Sequence, residues 1–349
     1  MTAISAGALH SCALTTAGGV KCWGANYGGA LGDGTADRHY GPVDVSGLGS
    51  GVSAVAAGYD SSCALLDTGG VKCWGTNEWG RLGDGTTTDR WTPVDVIGLS
   101  SGMTAIAAGS LFNCALTAAG GVKCWGYGFG PAPADVSGLS NGVVAIAVKG
   151  PVCALTSAGR VKCLDSSGAA VDVPGLSAGV TAIATNDGHG CALTSHGAVK
   201  CWGSNDHGQL GDGTTTDRTT PVGVSGLASG VVAIAAGGFF SCAVTRAGGV
   251  KCWGWNTTGE LGDGTTHQRL KPVDVVGTGP GPVRCLVPKV VGRSLANARS
   301  RIVHAHCRVG TVRRVASTAR RNTVVHQSPH PGTRLKRGAK VNLRVSRGS

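Results

Sequence analysis

The chain has 349 residues, of which 60 are Gly, 13 Pro and 14 Cys, with 42% hydrophobic residues and a formal net charge of +12. It is too apolar for a disordered polar polymer, lacks the Gly-X-Y period of collagen and the long Glu/Lys/Leu stretches of a helical bundle, and has no run near 18 apolar residues that would predict a membrane-spanning helix. The charge divides sharply: residues 1–283 hold 15 Lys+Arg and all 19 Asp+Glu, a net −4, whereas residues 284–349 hold 16 Lys+Arg and no acid.

The first element is an apolar, strand-like segment at residues 2–6, which follows Met1 directly and is not a secretory leader. From there the cysteines mark a repeat. Six pairs are spaced ten residues apart: Cys12/Cys22, Cys63/Cys73, Cys114/Cys124, Cys153/Cys163, Cys191/Cys201 and Cys242/Cys252; a seventh, Cys285/Cys307, lies in the basic tail. Regular pairing of every cysteine predicts disulfides and an oxidising compartment, so export is expected on the cysteines and not on a leader. Zinc is the weaker reading, because each hairpin offers two facing cysteines and no histidine common to the copies.

The first cysteines of successive copies are 51, 51, 39, 38 and 51 residues apart. A unit of about 50 residues with four short apolar segments, each bounded by Gly or Pro, is the size of a four-stranded propeller blade. Within a unit the register follows from the spacing. If Cys12 faces Cys22, Leu14 faces Val20, and residues 16–18 form a three-residue loop whose last residue needs the left-handed conformation. Glycine stands there in all six copies, at Gly18, Gly69, Gly120, Gly159, Gly197 and Gly248. The cysteines then fall on a non-hydrogen-bonded pair, where the Cα atoms are close enough for a disulfide.

Trp23, Trp74, Trp125, Trp202 and Trp253 follow the second cysteine and read as packing between blades; the fourth copy has Leu164 instead. Asp33, Asp84, Asp212 and Asp263 sit in Leu-Gly-Asp-Gly-Thr loops. A single carboxylate between two glycines predicts a turn in which Asp bonds its own backbone, not a calcium site. Copies three and four lack this loop, which predicts a recess on one rim of the propeller as a partner-binding sector. No Gly-x-Ser-x-Gly, phosphate-loop or His-Glu-x-x-His pattern occurs, and His10 reads as structural. No catalytic residue, metal or cofactor is expected.

These motifs, Gly-x-x-His-Ser-Cys-Ala-Leu-Thr, Val-Lys-Cys-Trp-Gly-x-Asn and Gly-x-Leu-Gly-Asp-Gly-Thr, resemble the regulator of chromosome condensation repeat family over residues 1–277. The resemblance implies a mainly β fold: a β-propeller of six visible four-stranded repeats, with six or seven blades, since the family's best-known members have seven. The family's namesake is a nucleotide-exchange factor for a small GTPase, while a secreted bacterial inhibitor with this propeller acts by binding. The cysteines favour the second kind of role.

After a linker at 278–283, residues 284–349 resemble a PASTA domain, on Val287-Pro288-Lys289-Val290-Val291-Gly292-Arg293-Ser294-Leu295 and Gln327-Ser328-Pro329-His330-Pro331-Gly332-Thr333. The residues themselves predict a helix capped by Ser294, with Leu295, Ala298 and Ile302 on one face, against a small α+β sheet of three strands near 309–315, 323–327 and 341–345. Similar modules bind peptidoglycan fragments in some proteins and space domains in others. The uncompensated charge, including Arg313, Arg314, Arg320, Arg321, Arg334, Lys336, Arg337 and Lys340, predicts an anionic polymer as partner. Peptidoglycan or an anionic wall polymer is preferred to nucleic acid, because the tail has no Phe, Tyr or Trp to stack on bases. The sequence thus predicts a non-enzymatic, exported or cell-envelope binding protein of bacterial type, whose propeller loops take a protein or glycan. The alternatives are a GTPase exchange factor and a nucleic-acid-binding protein.

Overall fold

The repeated hairpin sets the register of every blade. Strands His10–Leu14 and Val20–Gly24 pair Cys12 with Cys22 and Leu14 with Val20. The same register sets Cys63 opposite Cys73, Cys114 opposite Cys124, Cys153 opposite Cys163, Cys191 opposite Cys201 and Cys242 opposite Cys252. The Thr15 amide donates to the Gly19 carbonyl and closes a three-residue loop. Gly18 has φ 75°, and its five counterparts lie between 72° and 80°, where a side chain would clash with the backbone. The structure is a computed structural model and describes residues 1–186, 188–278, 285–305, 307–335 and 338–348. It divides into two compact units, Met1–Val276 and Gly277–Ser349. Of the expected linker, residues 279–283 lie outside the described residues.

Among the described residues the first unit holds six four-stranded antiparallel sheets, each in sequential strand order. The first blade comprises Ala3–Ala6, His10–Leu14, Val20–Gly24 and His39–Asp44, and later blades begin at Val52, Met103, Val143, Val180 and Val231. Their innermost strands contribute Ser5, Ala56, Ala107, Ala147, Ala184 and Ala235 to a central channel of about 330 Å³. Small side chains there let the strands approach the axis.

Blades stack cysteine face to tryptophan face. Cys12, Leu14, Val20 and Cys22 pack on Ala64 and Trp74 of the next blade, and the pattern recurs as far as Cys191, Leu193, Val199 and Cys201 on Ala243 and Trp253. Trp74, Trp125 and Trp253 are fully buried, and truncating such a residue to Ala costs about 3–5 kcal/mol. The cysteine face of the sixth blade is more open, with Cys242, Val244 and Val250 only half-buried. In five blades the ladder between the third and fourth strands shifts register at the Trp-Gly step, as between Cys22 and Gly24. The fourth blade, with Leu164-Asp165 at that step, pairs without a shift. A bulge thus accompanies the tryptophan and turns it into the interface.

In the second unit Ser294 caps the helix Leu295–His304, its Oγ accepting the Asn297 amide hydrogen at 3.3 Å. Ala298 and Ile302 pack on Val324, Val341, Leu343 and Val345. The sheet places Lys340–Ser346 centrally, parallel to Arg308–Val315 and antiparallel to Val324–Ser328. Cys285, in a short strand paired with Arg334–Leu335, is bonded to Cys307 just after the helix.

Candidate functional site

In a four-stranded antiparallel blade, the turn after the first strand and the connection after the third leave from the same end. All blades therefore present these segments on one face of the propeller, the loop face. Four blades carry a long connection there, residues 25–38, 76–89, 204–217 and 255–268; the third has only 127–129 and the fourth 165–169.

The long loops are built around one Asn and one Asp. In the second blade Asn77 Oδ1 accepts the Leu82 amide hydrogen at 2.9 Å, and Asn77 Nδ2 donates to Asp84 Oδ1 at 3.0 Å and to the Thr86 carbonyl at 3.1 Å. Asp84 Oδ1 also accepts from the Thr86 amide and hydroxyl, at 3.0 and 2.7 Å, and Asp84 Oδ2 meets Arg90 at 2.7 Å. Burial opposes ionisation of Asp84, but the hydrogen bonds from Thr86, Arg90 and Asn77 outweigh it and hold the carboxyl below its usual range. Asp212 with Arg218 and Asp263 with Arg269 repeat the arrangement, and His39 occupies the cationic position beside Asp33. Each carboxylate is an internal anchor. Among the described residues, no three His, Cys, Asp or Glu side chains stand together as a metal site.

Two histidines are equally internal. Ser62 Oγ donates its one proton to the Ala30 carbonyl at 3.0 Å, so at 2.8 Å His10 Nε2 must be the donor to Ser62 Oγ. His189 stands in the same relation to Ser241, 2.9 Å away, and its buried Nδ1 has no hydrogen-bond partner among the described residues. Burial pushes both histidines down to about 4, and the Lys149 ammonium adds to the effect on His10. Lys149 itself reaches from the fourth blade to the Ala6 carbonyl at 2.7 Å, beside a cavity of about 530 Å³ lined by Gly7, Gly58, Tyr59, Gly109 and Asn186.

The short third blade changes its neighbour. In the first blade Gly28 faces Thr76, and a Cβ there would run into it. The equivalent residue of the second blade is Trp79, at φ 64°, half exposed and edge-on to Tyr127 with ring centroids 5.3 Å apart. Trp79 borders an open pocket of about 490 Å³ with Thr76, Glu78, Thr87 and Asp89. Neither Trp79 nor Tyr127 was singled out by the sequence pattern; the available signal was a tryptophan where the other long loops have Gly28, His207 and Thr258.

The structure places every cysteine pair expected from the ten-residue spacing within one hairpin. Cys12 is bonded to Cys22, Cys63 to Cys73, Cys114 to Cys124, Cys153 to Cys163, Cys191 to Cys201 and Cys242 to Cys252, with Cα atoms 4.0–4.1 Å apart. In the second unit the Cα atoms of Cys285 and Cys307 are 4.7 Å apart, and no described cysteine is free. The basic residues fall in separate places. Arg313 and Lys340 are exposed on the sheet, Arg314 Nη1 donates to Asn322 Oδ1 at 2.9 Å, and Arg320 and Arg321 precede the strand Val324–Ser328. Arg334 lies in the short strand paired with Leu286, while Lys336 and Arg337 lie outside the described residues. Arg308, Arg344 and His326, which join Arg313 and Lys340 on the sheet, were missed from sequence.

Fold and loops together define a β-propeller of repeated blades with a small α+β module behind it in the chain. The regulator of chromosome condensation (RCC1) repeat matches residues 17–65, 68–116 and 196–244, and a second pattern of the same repeat matches 1–30, 52–80, 180–209 and 231–260, together more than half of the chain. The chain belongs to the RCC1 repeat family, and its residues 286–347 match the PASTA domain. It is 29% identical to the ultraviolet-B receptor UVR8 of Arabidopsis thaliana over 77% of this chain and 56% of that one. To the human protein RCC2 it is 30% identical, over 72% of this chain and 49% of that one. The chain thus spans about half the length of these relatives. Human WBSCR16 has the same fold, with a TM-score of 0.68 at 20% identity over 78% of this chain and 81% of that one. Yeast RCC1 (Prp20), solved with Kap60, gives 0.68 at 22% identity over 78% and 74%.

Proposed function

We propose that the protein is a non-enzymatic binding scaffold that works in an oxidising, extracytoplasmic compartment. Its propeller presents the loop face to a protein or glycan, and its basic PASTA-like module associates with an anionic polymer of the cell envelope. One observation carries the compartment: the described cysteines are all paired, six of the pairs as cross-strand bridges inside single hairpins. The sector around Trp79 and Tyr127, next to the two blades without long loops, is the preferred position for the partner, since exposed aromatic rings beside polar groups supply contact area and specificity.

Thiol titration of natively produced, denatured and unreduced protein tests the compartment. The expected result is no reactive thiol; fourteen would overturn it. They would favour the second reading, an intracellular regulator, which draws on the likeness of fold to Prp20p, a protein studied for its binding to Gsp1p and histones. Sedimentation with purified cell wall beside a duplex DNA shift tests the module, and binding to DNA alone would sink the envelope role.

A further inference from the structure

We propose that the solvent face of the three-stranded sheet in residues 308–346 is a binding track for a linear phosphodiester polymer that carries no bases. This deepens the envelope reading of the basic module and rests on it for the setting in which such a polymer is met.

Along the central strand, Val341, Leu343 and Val345 are buried under the helix, while Lys340, Asn342 and Arg344 face solvent. The register sets Arg308 opposite Lys340, and Arg313 opposite Arg344, with His326 opposite Arg344 on the other side. Four permanent cations and a histidine therefore form two cross-strand rows on one exposed face. Within a row, neighbours are on strands ~4.8 Å apart; the rows are four residues apart along the strand, or ~13 Å. Asn342 lies between the rows, its Oδ1 accepting the Thr311 amide hydrogen at 2.8 Å.

Like charges directly opposite one another destabilise a sheet, and residues 275–349 contain no Asp or Glu to relieve them. The arrangement is unfavourable alone and favourable under a polyanion that runs along the strands and meets both rows. Guanidinium groups bind phosphate oxygens in bidentate fashion, so each row can hold a phosphodiester of such a polymer. The face has no Phe, Tyr or Trp to stack on a base. A three-stranded sheet backed by a helix is also wider than the helix or two-stranded ribbon that a major groove admits.

The test uses the full chain, a face variant (Arg308→Gln, Arg313→Gln, Lys340→Gln and Arg344→Gln) and a charge-matched control outside the sheet (Lys289→Gln, Arg293→Gln, Arg299→Gln and Arg301→Gln). The probe is poly(glycerol phosphate) of defined length, followed by fluorescence anisotropy at two salt concentrations. Four phosphate contacts predict a loss of roughly fifty-fold in affinity between 50 and 200 mM salt for the unmodified protein. The face variant should bind at least tenfold more weakly at low salt and lose that dependence, and the control should change less than threefold. The face variant should also unfold at the same or a higher temperature, which separates lost binding from lost folding. Equal losses in both variants, or tighter binding of an oligonucleotide of equal charge, would overturn the proposal. If the protein binds the probe through this face but does not sediment with cell wall, the envelope reading fails and the track stands. If the face variant still sediments fully, the track fails and the envelope reading stands.

Discussion

The Trp74 indole donates its Nε1 hydrogen to the Ala30 carbonyl oxygen at 2.9 Å, from one blade into the long loop of the blade before it. Ser62 Oγ donates to the same oxygen, and Trp253 and Ser241 repeat the pair on the Gln209 carbonyl at 2.8 and 3.0 Å. The third blade keeps the relation through Asn113, whose Nδ2 donates to the Arg81 carbonyl at 2.7 Å, and its Trp125 Nε1 has no partner among the described residues. Having no long loop, the third blade offers no such carbonyl to the fourth, which carries Leu164 in place of tryptophan. The fifth blade, preceded by another short connection, keeps Trp202 but leaves it half-buried. Loop and tryptophan thus act as one device that locks consecutive blades.

Removing one donor from the Ala30 oxygen should cost about 1 kcal/mol, the net worth of a neutral hydrogen bond. Trp74→Phe removes that donor and also empties part of a fully buried ring site, so it should cost more than the hydrogen bond alone, about 2–3 kcal/mol. Ser62→Ala also strips His10 of its acceptor, so about 1–3 kcal/mol is expected. The double variant leaves a buried carbonyl bare and should lose at least ~0.5 kcal/mol more than the sum of the singles. Urea unfolding of the four proteins measures this, and strict additivity would show that the two donors act independently.

Stability should fall in mild acid. His10 and His189 have folded-state values of about 4 against 6.5 when free, so the folded protein binds fewer protons and the unfolded chain more. The sign follows: the contribution is complete above pH 6.5, shrinks as the unfolded histidines take up protons, and is fully lost below pH 4. Each histidine accounts for about 3 kcal/mol over that window. Denaturant midpoints at pH 7.5, 5.5 and 4.5 should decline steadily. His189→Gln should flatten the decline by about half, and an unchanged slope would remove the histidines as its cause.

The hairpins were legible in the sequence because two independent constraints, the ten-residue cysteine spacing and the glycine at the third loop position, demand the same register. The Asp turns were legible because Asp-x-Thr closes within three residues. The helix in the second unit was legible from Ser294, Ala298 and Ile302. What could not be read was any contact whose partner lies across the fold, a backbone atom above all. Nothing in the identity of Ala30 or Gln209 says that its carbonyl receives an indole. The row formed by Arg313 and Arg344 depends on a parallel register between segments some thirty residues apart, with an irregularity between Val309 and Val312. The basic residues therefore appeared as a list along the chain, and the sheet sorted them into a face.

The cross-strand bridges should stabilise individual hairpins. Closing a loop of about ten residues removes roughly 3 kcal/mol of chain entropy from the unfolded state. Replacing Cys12 and Cys22 together by Ser should cost about that much, with the loss seen in urea unfolding. Losses well under ~1 kcal/mol would show that the interblade packing of Leu14 and Val20 already fixes the hairpin.

Calcium should not matter. The oxygens of Asp212 are taken by Thr214, Asn205 and Arg218, so an ion would have to displace a complete network. Addition of calcium or of a chelator should leave the melting temperature unchanged, whereas Asp212→Ala should lower it. A calcium-dependent rise in melting temperature would overturn the anchoring role of these carboxylates.

Trp79 separates strain from packing. A side chain in the left-handed region costs about 1–2 kcal/mol relative to glycine, and the edge-on contact with Tyr127 returns about 0.5–1.5 kcal/mol. Trp79→Gly should therefore fall between a loss of about 0.5 kcal/mol and a gain of about 1.5 kcal/mol, although it removes a large aromatic side chain. Tyr127→Ala, which keeps the strain and loses the contact, should destabilise by more than Trp79→Gly does. Such a pattern means that folding does not require the tryptophan, and it fits a residue kept on the loop face for contact with a partner. A loss above ~2 kcal/mol in Trp79→Gly, read from urea unfolding, would instead make Trp79 part of the packing between the second and third blades and remove it from the binding sector.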